Sequence, residues 1–304
     1  MTDDSSPCIC IPDISPAAVL GPSGVMTIPY GEVSFTELKG IYKKKISEFK
    51  DNKFFILEGM TLMADLRAAV LECRKTGKPI WVILPVDEYL ATENELPADA
   101  ALITLQELGI SCFGISADSE EILTEAVSRI KPYAKIPVAV SAIKGNLSEE
   151  TLRKLISLGA DRFIGLTDEA LFEKAVNSKS EPYEYDEITS IMLANERQAF
   201  FLEPDTTEIS DPFTCSTGMG DELLDAEDSG FDVLKIEINT PDDVLDFIEN
   251  AHLTELPVMF SCNNETELRL ALMLYQGRAI IDSTSPMEEE EIKKAAEKYG
   301  AVIY

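Results

Sequence analysis

The sequence predicts an α/β protein, a (β/α) barrel or barrel-like assembly of parallel βα repeats. Three observations predict it. Residues 54–84, FFILEGMTLMADLRAAVLECRKTGKPIWVIL, read as a strand, a crossover helix and a second strand. The helix keeps Leu62, Leu66, Ala69, Val70 and Cys73 on one face, and Gly77 and Pro79 end it. Apolar runs alternate with helical patterns along the rest of the chain, which implies a parallel sheet. Neither G-x-G-x-x-G nor a P-loop follows a strand, so a barrel is favoured over a nucleotide-binding open sheet.

The elements follow in order. Residues 17–20 form a short strand running into the turn Gly21-Pro22-Ser23-Gly24. Ser34 with Glu37 is a capping box for a helix to about Phe49. After the 54–84 unit and a polar loop, a helix from Asp99 to Gly109 precedes a strand at 112–115. Asp118 and Glu121 cap the next helix; a strand at 137–140, a helix from Ser148 and a strand at 162–165 follow, then a helix through Ala175. Residues 178–186, SKSEPYEYD, are the linker candidate. Beyond it come a helix to Arg197, a strand at 199–202, an irregular stretch and a helix from Asp221 to Ser229. Strands at 233–238, 258–261, 279–281 and 301–303 alternate with helices opened by Thr240-Pro241, by Asn264 with Glu267, and by Ser285-Pro286 with Glu288. Gly218-Met219-Gly220 reads as turn chemistry or a ligand loop.

The chain has 304 residues, 45% of them hydrophobic, enough for one large α/β domain or two small ones. Against 26 basic side chains stand 55 acidic ones, a net charge of −29 that repels phosphate backbones and anionic lipid, so neither nucleic acid nor membrane is an expected partner. No apolar run approaches the roughly 18 residues of a membrane helix, and the acidic start MTDDSSPCICIPDISP is unlike a signal peptide, which predicts a cytoplasmic protein. The cysteines, Cys8, Cys10, Cys73, Cys112, Cys215 and Cys262, read as reduced. Cys8 and Cys10 are the one close pair, with no second pair to complete a metal site. His252, the single histidine, falls at a predicted helix end and reads as a surface or capping residue; a catalytic triad or a histidine-rich metal site would have to use it.

In parallel α/β folds ligands bind beyond the carboxyl ends of the strands. The candidates there are Glu58, Ser116 and Asp118, Ser141, Thr167 and Asp168, Glu237 and Asn239, Ser261 with Asn263, and Asp282 with Ser283. Glu58 suits a substrate ammonium, or equally the positive end of the following helix. Asp118, Asp168 and Asn264 read as helix caps. A lyase or aldolase would need a strand-end lysine; Lys235 falls inside a strand and Lys144 in a loop.

The order of segments resembles a known family. VLGPSG, FFILEGMTLMADLRAAVLECRKTGKPIWV, LQELGISCFGIS, KIPVAVSAIKG and LISLGADRFIGLTDEAL are similar to the later part of a homocysteine S-methyltransferase barrel. GFDVLKIEIN, PVMFSCNNETELRLALMLYQGRAIIDSTS and AEKYGAVIY resemble the first strands of the pterin-binding barrel that follows it in cobalamin-dependent methionine synthase. The resemblance implies residues 1–182 as a homocysteine-methyltransferase-like segment and 183–304 as a pterin-barrel-like segment, either separate or sharing one TIM-type barrel. Six strands do not close an eight-stranded barrel, so the C-terminal strands, or a homo-oligomer, would complete it. It implies methyl transfer in one-carbon metabolism, with tetrahydrofolate as a cofactor and cobalamin carried by a partner corrinoid protein. Glu58, Ser116, Ser141 and Thr167 would bind the amino-acid substrate; Glu237, Asn239, Ser261, Asn263 and Asp282 would line the pterin-like site. The family's three zinc cysteinates fall on Ala117, Leu166 and Thr167, the Thr beside the glutamate is Gly59, and no D-x-H-x-x-G is present, so zinc is not expected and the active site is degenerate. The alternative is a non-catalytic scaffold that binds a corrinoid protein or a methyltransferase subunit.

Overall fold

The computed structural model describes residues 8–11, 14–49, 51–142, 147–178, 182–215, 219–227 and 230–304. The chain begins with β1 (Ile9–Ile11), β2 (Ala17–Leu20) and α1 (Phe35–Ser47), the helix closed by the expected Ser34–Glu37 capping box. The unit read from residues 54–84 is β3 (Phe54–Glu58), α2 (Met63–Cys73) and β4 (Ile80–Pro85). Then follow α3 (Ala98–Glu107), β5 (Cys112–Ser116), α4 (Glu120–Ile130), β6 (Val138–Ser141), α5 (Glu149–Ser157), β7 (Arg162–Ile164) and α6 (Glu169–Asn177).

These seven strands are all parallel, in the order β1-β7-β6-β5-β4-β3-β2, and the sheet curls into a half-barrel. Alternation along each strand decides which side chain faces which way. Phe55, Leu57, Val82, Leu84, Phe113, Ile115, Val140 and Phe163 join the helices in the main core. Ile56, Ile83, Cys112, Ala139 and Ile164 form a second, inner cluster with Phe54 and Trp81. At the amino end of this inner face the Arg162 guanidinium lies 5.2 Å from the Trp81 ring. Gly114 is on the same face; a Cβ there would come within 2.5 Å of Ile83 Cδ1, so the larger side chain of Ile83 fills the layer.

The remaining elements are β8 (Ile191–Ala194), β9 (Ala199–Leu202), β10 (Phe213–Thr214), α7 (Met219–Glu227), β11 (Leu234–Ile238), α8 (Pro241–Asn250), β12 (Val258–Cys262), α9 (Glu265–Leu274), β13 (Ile280–Ile281), α10 (Glu289–Tyr299) and β14 (Val302–Ile303). Strands β10 to β14 make a parallel five-stranded sheet in chain order, and β8 and β9 an antiparallel hairpin. Leu193 of the hairpin packs with Met259 and Ile280 of that sheet, while Met192 and Ala194 pack with Ala100 and Ile103 of α3.

Five expectations are corrected. The C-terminal strands do not complete the first sheet: among the described residues they form a sheet of their own. The predicted helix to Arg197 is the strand β8 and a turn. Both faces of β8 are buried, so it lacks the alternation that marks a half-exposed strand, and Asn195 Oδ1 accepts from the Arg197 and Gln198 amides to turn the chain. The N-terminal segment contributes a strand, β1, which pairs with β7 at the sheet edge. Helix α4 is capped by Ser119 rather than Asp118, and α10 begins at Glu289, beyond Ser285-Pro286.

Arginines join the two sheets' helix layers. Arg67 of α2 reaches the carboxyl end of α9, Arg74 donates to the Lys298 carbonyl at 2.7 Å, and Arg278, which donates to the carbonyls of Met192 at 2.5 Å and Gly300 at 2.9 Å, lies 3.6 Å from the Glu107 carboxylate of α3. Gly300 ends α10 with φ of 72°, and a Cβ there would meet the Glu107 carbonyl carbon of α3 at 2.8 Å. Gly300→Ala is therefore expected to cost roughly 2 kcal/mol in urea unfolding, from left-handed strain and the forced parting of α10 from α3. An unchanged midpoint would show that this contact does not hold the helices together.

Candidate functional site

Two rims carry the candidate residues, one at the carboxyl end of each parallel sheet. On the first, register places Glu58, Ser116 and Ser141 on the inner face. Glu58 pairs with Ile83, Pro85 with Ser116, and Ser116 with Ser141. Glu58 ends β3, and Gly59, at φ of 72°, turns the chain away toward α2. The Glu58 carboxylate is exposed and has no hydrogen-bond or ion-pair partner among the described residues. Ser116 and Ser141 are buried, side by side on neighbouring strands. Two strand spacings, about 10 Å, separate β3 from β5, so Glu58 and the serines span a rim rather than a tight cluster. Thr167 is exposed in the loop before α6, next to Asp168, which caps that helix by accepting from the Leu171 amide at 2.9 Å. Ala117 and Leu166 are buried.

Sequence reasoning missed a buried carboxylate beside this rim. Asp65, 3% exposed on α2, accepts from the Tyr42 hydroxyl at 2.6 Å and from the Ser23 amide at 3.2 Å. It thereby fixes the Gly-Pro-Ser-Gly turn at the end of β2. Burial first, and the Asp65 hydrogen bond second, push the Tyr42 phenol pKa up. The signal was present: Asp65 lies beside Leu66 and one turn before Ala69 on the apolar side of the helix.

The second rim is more tightly knit. Lys235 and Glu237 of β11 face the same side as Met259 and Ser261 of β12, by register. The Lys235 ammonium is 2.7 Å from Asp282, whose carboxylate also accepts from Ser261 at 2.9 Å, the Thr284 amide at 2.9 Å and the Thr284 hydroxyl at 2.6 Å. Burial raises the Asp282 pKa, but the hydrogen bonds from Lys235, Thr284 and Ser261 outweigh it and hold the group at about 2. Asp282 is thus a fixed anion with both oxygens engaged inside the chain. Beside it runs a second chain of contacts: Asn263 donates to the Asn239 side chain, which donates to Glu237 at 3.3 Å. Asn239 and Asn263 are exposed, and Glu237 is half-buried. The structure therefore brings Ser261 to Asp282, and Glu237, Asn239 and Asn263 to one another. Lys235 joins the first group across two strands, which a position inside a strand did not suggest.

Burial first pushes the thiol pKa of Cys8, Cys73, Cys112, Cys215 and Cys262 up to about 12, so these cysteines are protonated at neutral pH. Among the described residues no three of His, Cys, Asp and Glu come together in a metal-binding group, and no helix is long and apolar enough to cross a membrane. Lys144, Gly218 and Ser229 lie outside the described residues.

No family model and no curated protein matches the chain. Among solved structures, the apo form of the homocysteine methyltransferase MmuM from Escherichia coli matches with 14% identity and a TM-score of 0.44. The match covers 52% of this chain and 61% of that one, a distant and partial likeness of fold.

Proposed function

We propose that the chain is a methyltransferase-like binding subunit of one-carbon metabolism, which receives an amino-acid ligand at the first rim and does not activate its thiol. The observation that carries this reading is the free Glu58 carboxylate at the carboxyl end of β3, on a rim whose three family-matched positions hold Ala117, Leu166 and Thr167. A carboxylate can hold an ammonium by charge-assisted hydrogen bonds. A methyl and an isobutyl side chain cannot ligate zinc, and a threonine is no thiolate. The physiological partner in this reading is a corrinoid protein or a methyltransferase subunit, which would supply the cobalamin and the reacting centre.

Calorimetry with homocysteine and methionine tests it. Without thiol activation the two should bind with dissociation constants within about threefold of each other. Glu58→Gln should weaken both about tenfold by removing the charge on the ammonium's partner. Stoichiometric zinc retained after dialysis would overturn the reading. So would methylation of homocysteine from methyltetrahydrofolate in the presence of a corrinoid protein.

A further inference from the structure

A cavity of about 130 Å³, lined by none of the candidate rim residues, lies where the segment 27–35, the β8–β9 turn, the end of α8 and the end of α9 converge. Its walls hold the chain's single histidine and several polar groups that no function above uses. Glu196 accepts from the Tyr30 hydroxyl at 3.1 Å. The Tyr30 and His252 rings meet edge to face, 5.9 Å between centroids. His252 Nδ1 is buried with no hydrogen-bond partner, and so is Gln276 Oε1, while the amide nitrogen of Gln276 donates to the Leu274 carbonyl at 2.6 Å. Leu245, Ile248 and Leu274 add aliphatic lining, Leu245 being half exposed.

Two features fix what would fit. The volume is close to that of a cavity known to take one benzene ring, roughly 150 Å³. Two carboxylates, Glu196 and Glu249, line the cavity against one guanidinium, Arg197, so acceptors and negative charge predominate; the unpaired Gln276 oxygen accepts only, and a neutral imidazole accepts at one of its two nitrogens. A buried polar atom left unpaired is destabilising, and a ligand donating N–H groups would relieve that. Burial, the largest influence on Glu196, raises its pKa, against the opposing effects of the Tyr30 hydrogen bond and of Arg197 and His252.

We propose that this cavity is a binding site for a small molecule of one aromatic ring that presents cationic N–H donors to Glu196 and Gln276 and its ring to Leu245, Ile248 and Tyr30. The site does not depend on the rim reading. Its walls come from both halves of the chain, so occupancy would also tie the N-terminal segment to α8.

Because His252 is the only imidazole, its Cε1–H signal in a proton NMR spectrum is a single reporter inside the cavity wall. Benzamidine, a ring with a cationic amidine, is the probe. At neutral pH it is expected to shift that signal saturably, with a dissociation constant of about 1 mM or below. Benzoate, equal in ring size but an acceptor, should not. Glu196→Gln should weaken benzamidine at least about tenfold, and Ile248→Trp, which fills the cavity, should abolish the shift. Circular dichroism and melting temperature establish that each variant is folded; if Ile248→Trp is not, Glu196→Gln decides. No saturable shift with benzamidine, an equal response to benzoate, or undiminished binding in Glu196→Gln would overturn the proposal and leave a water-filled cavity.

Discussion

Arg67→Ala is expected to lower the unfolding free energy by roughly 3–5 kcal/mol and to split a single urea transition into two. The side chain is fully buried. Its guanidinium donates to the carbonyls of Leu272 at 2.8 Å, Met273 at 3.2 Å and Tyr275, the last residues of α9 and its cap. Those carbonyls have no partner within the helix, and they form the negative end of its dipole. An arginine from α2 therefore caps a helix of the other sheet. Burial lowers its pKa to about 10, which leaves it charged at neutral pH. Truncation leaves a cavity and unpaired carbonyls together, each carbonyl worth about 1–3 kcal/mol. Arg67→Met keeps most of the volume and should cost less, which separates packing from hydrogen bonding. An alanine variant within about 1 kcal/mol of the parent, still unfolding in one step, would mean that the halves are held together elsewhere, by Arg74 and Arg278.

Where local pattern and tertiary setting agree, the sequence is readable. In residues 54–84 the apolar runs are strands buried on both faces and the helix presents one apolar stripe, so strand, crossover and strand could be read directly. The helix caps Ser34, Asp168, Thr240 and Asn264 were legible for the same reason: a cap is a bond between residues two or three apart. β8 was not, because the side chains on either face meet different partners, α3 and the five-stranded sheet, and no period of two survives. β1 is three residues with Pro7 and Pro12 flanking it in sequence, punctuation that hides an edge strand. Asp282 could be found as a charge after two isoleucines. Its partner Lys235 could not, because the pairing is made by strand register between remote segments. The cavity around His252 is the extreme case: its walls come from four separate stretches, and the histidine read alone suggested only a helix end.

The pairing of Asp282 with Lys235 carries the last expected result. Asp282 is depressed from 3.8 to about 2 in the folded chain, so its contribution is fully present above pH 3.8 and is lost as the pH falls through about 2. The rim is partly open to solvent, and after allowance for screening the contribution is of order 1–2 kcal/mol. Asp282→Asn should cost more at pH 7, about 3 kcal/mol, since it leaves the Lys235 ammonium, itself mostly buried, without its counter-charge. It should also flatten the stability profile between pH 4 and pH 2. Lys235→Met removes the cation instead and leaves Asp282 its bonds from Ser261 and Thr284. The double variant should therefore be more stable than the sum of the single losses predicts, with a coupling of at least about 1 kcal/mol. Urea unfolding of the four proteins from pH 7 to pH 2 measures all of this. Parallel profiles for Asp282→Asn and the parent, or additive losses in the cycle, would show that the rim anion stabilises nothing through its lysine, and would free Asp282 for a ligand.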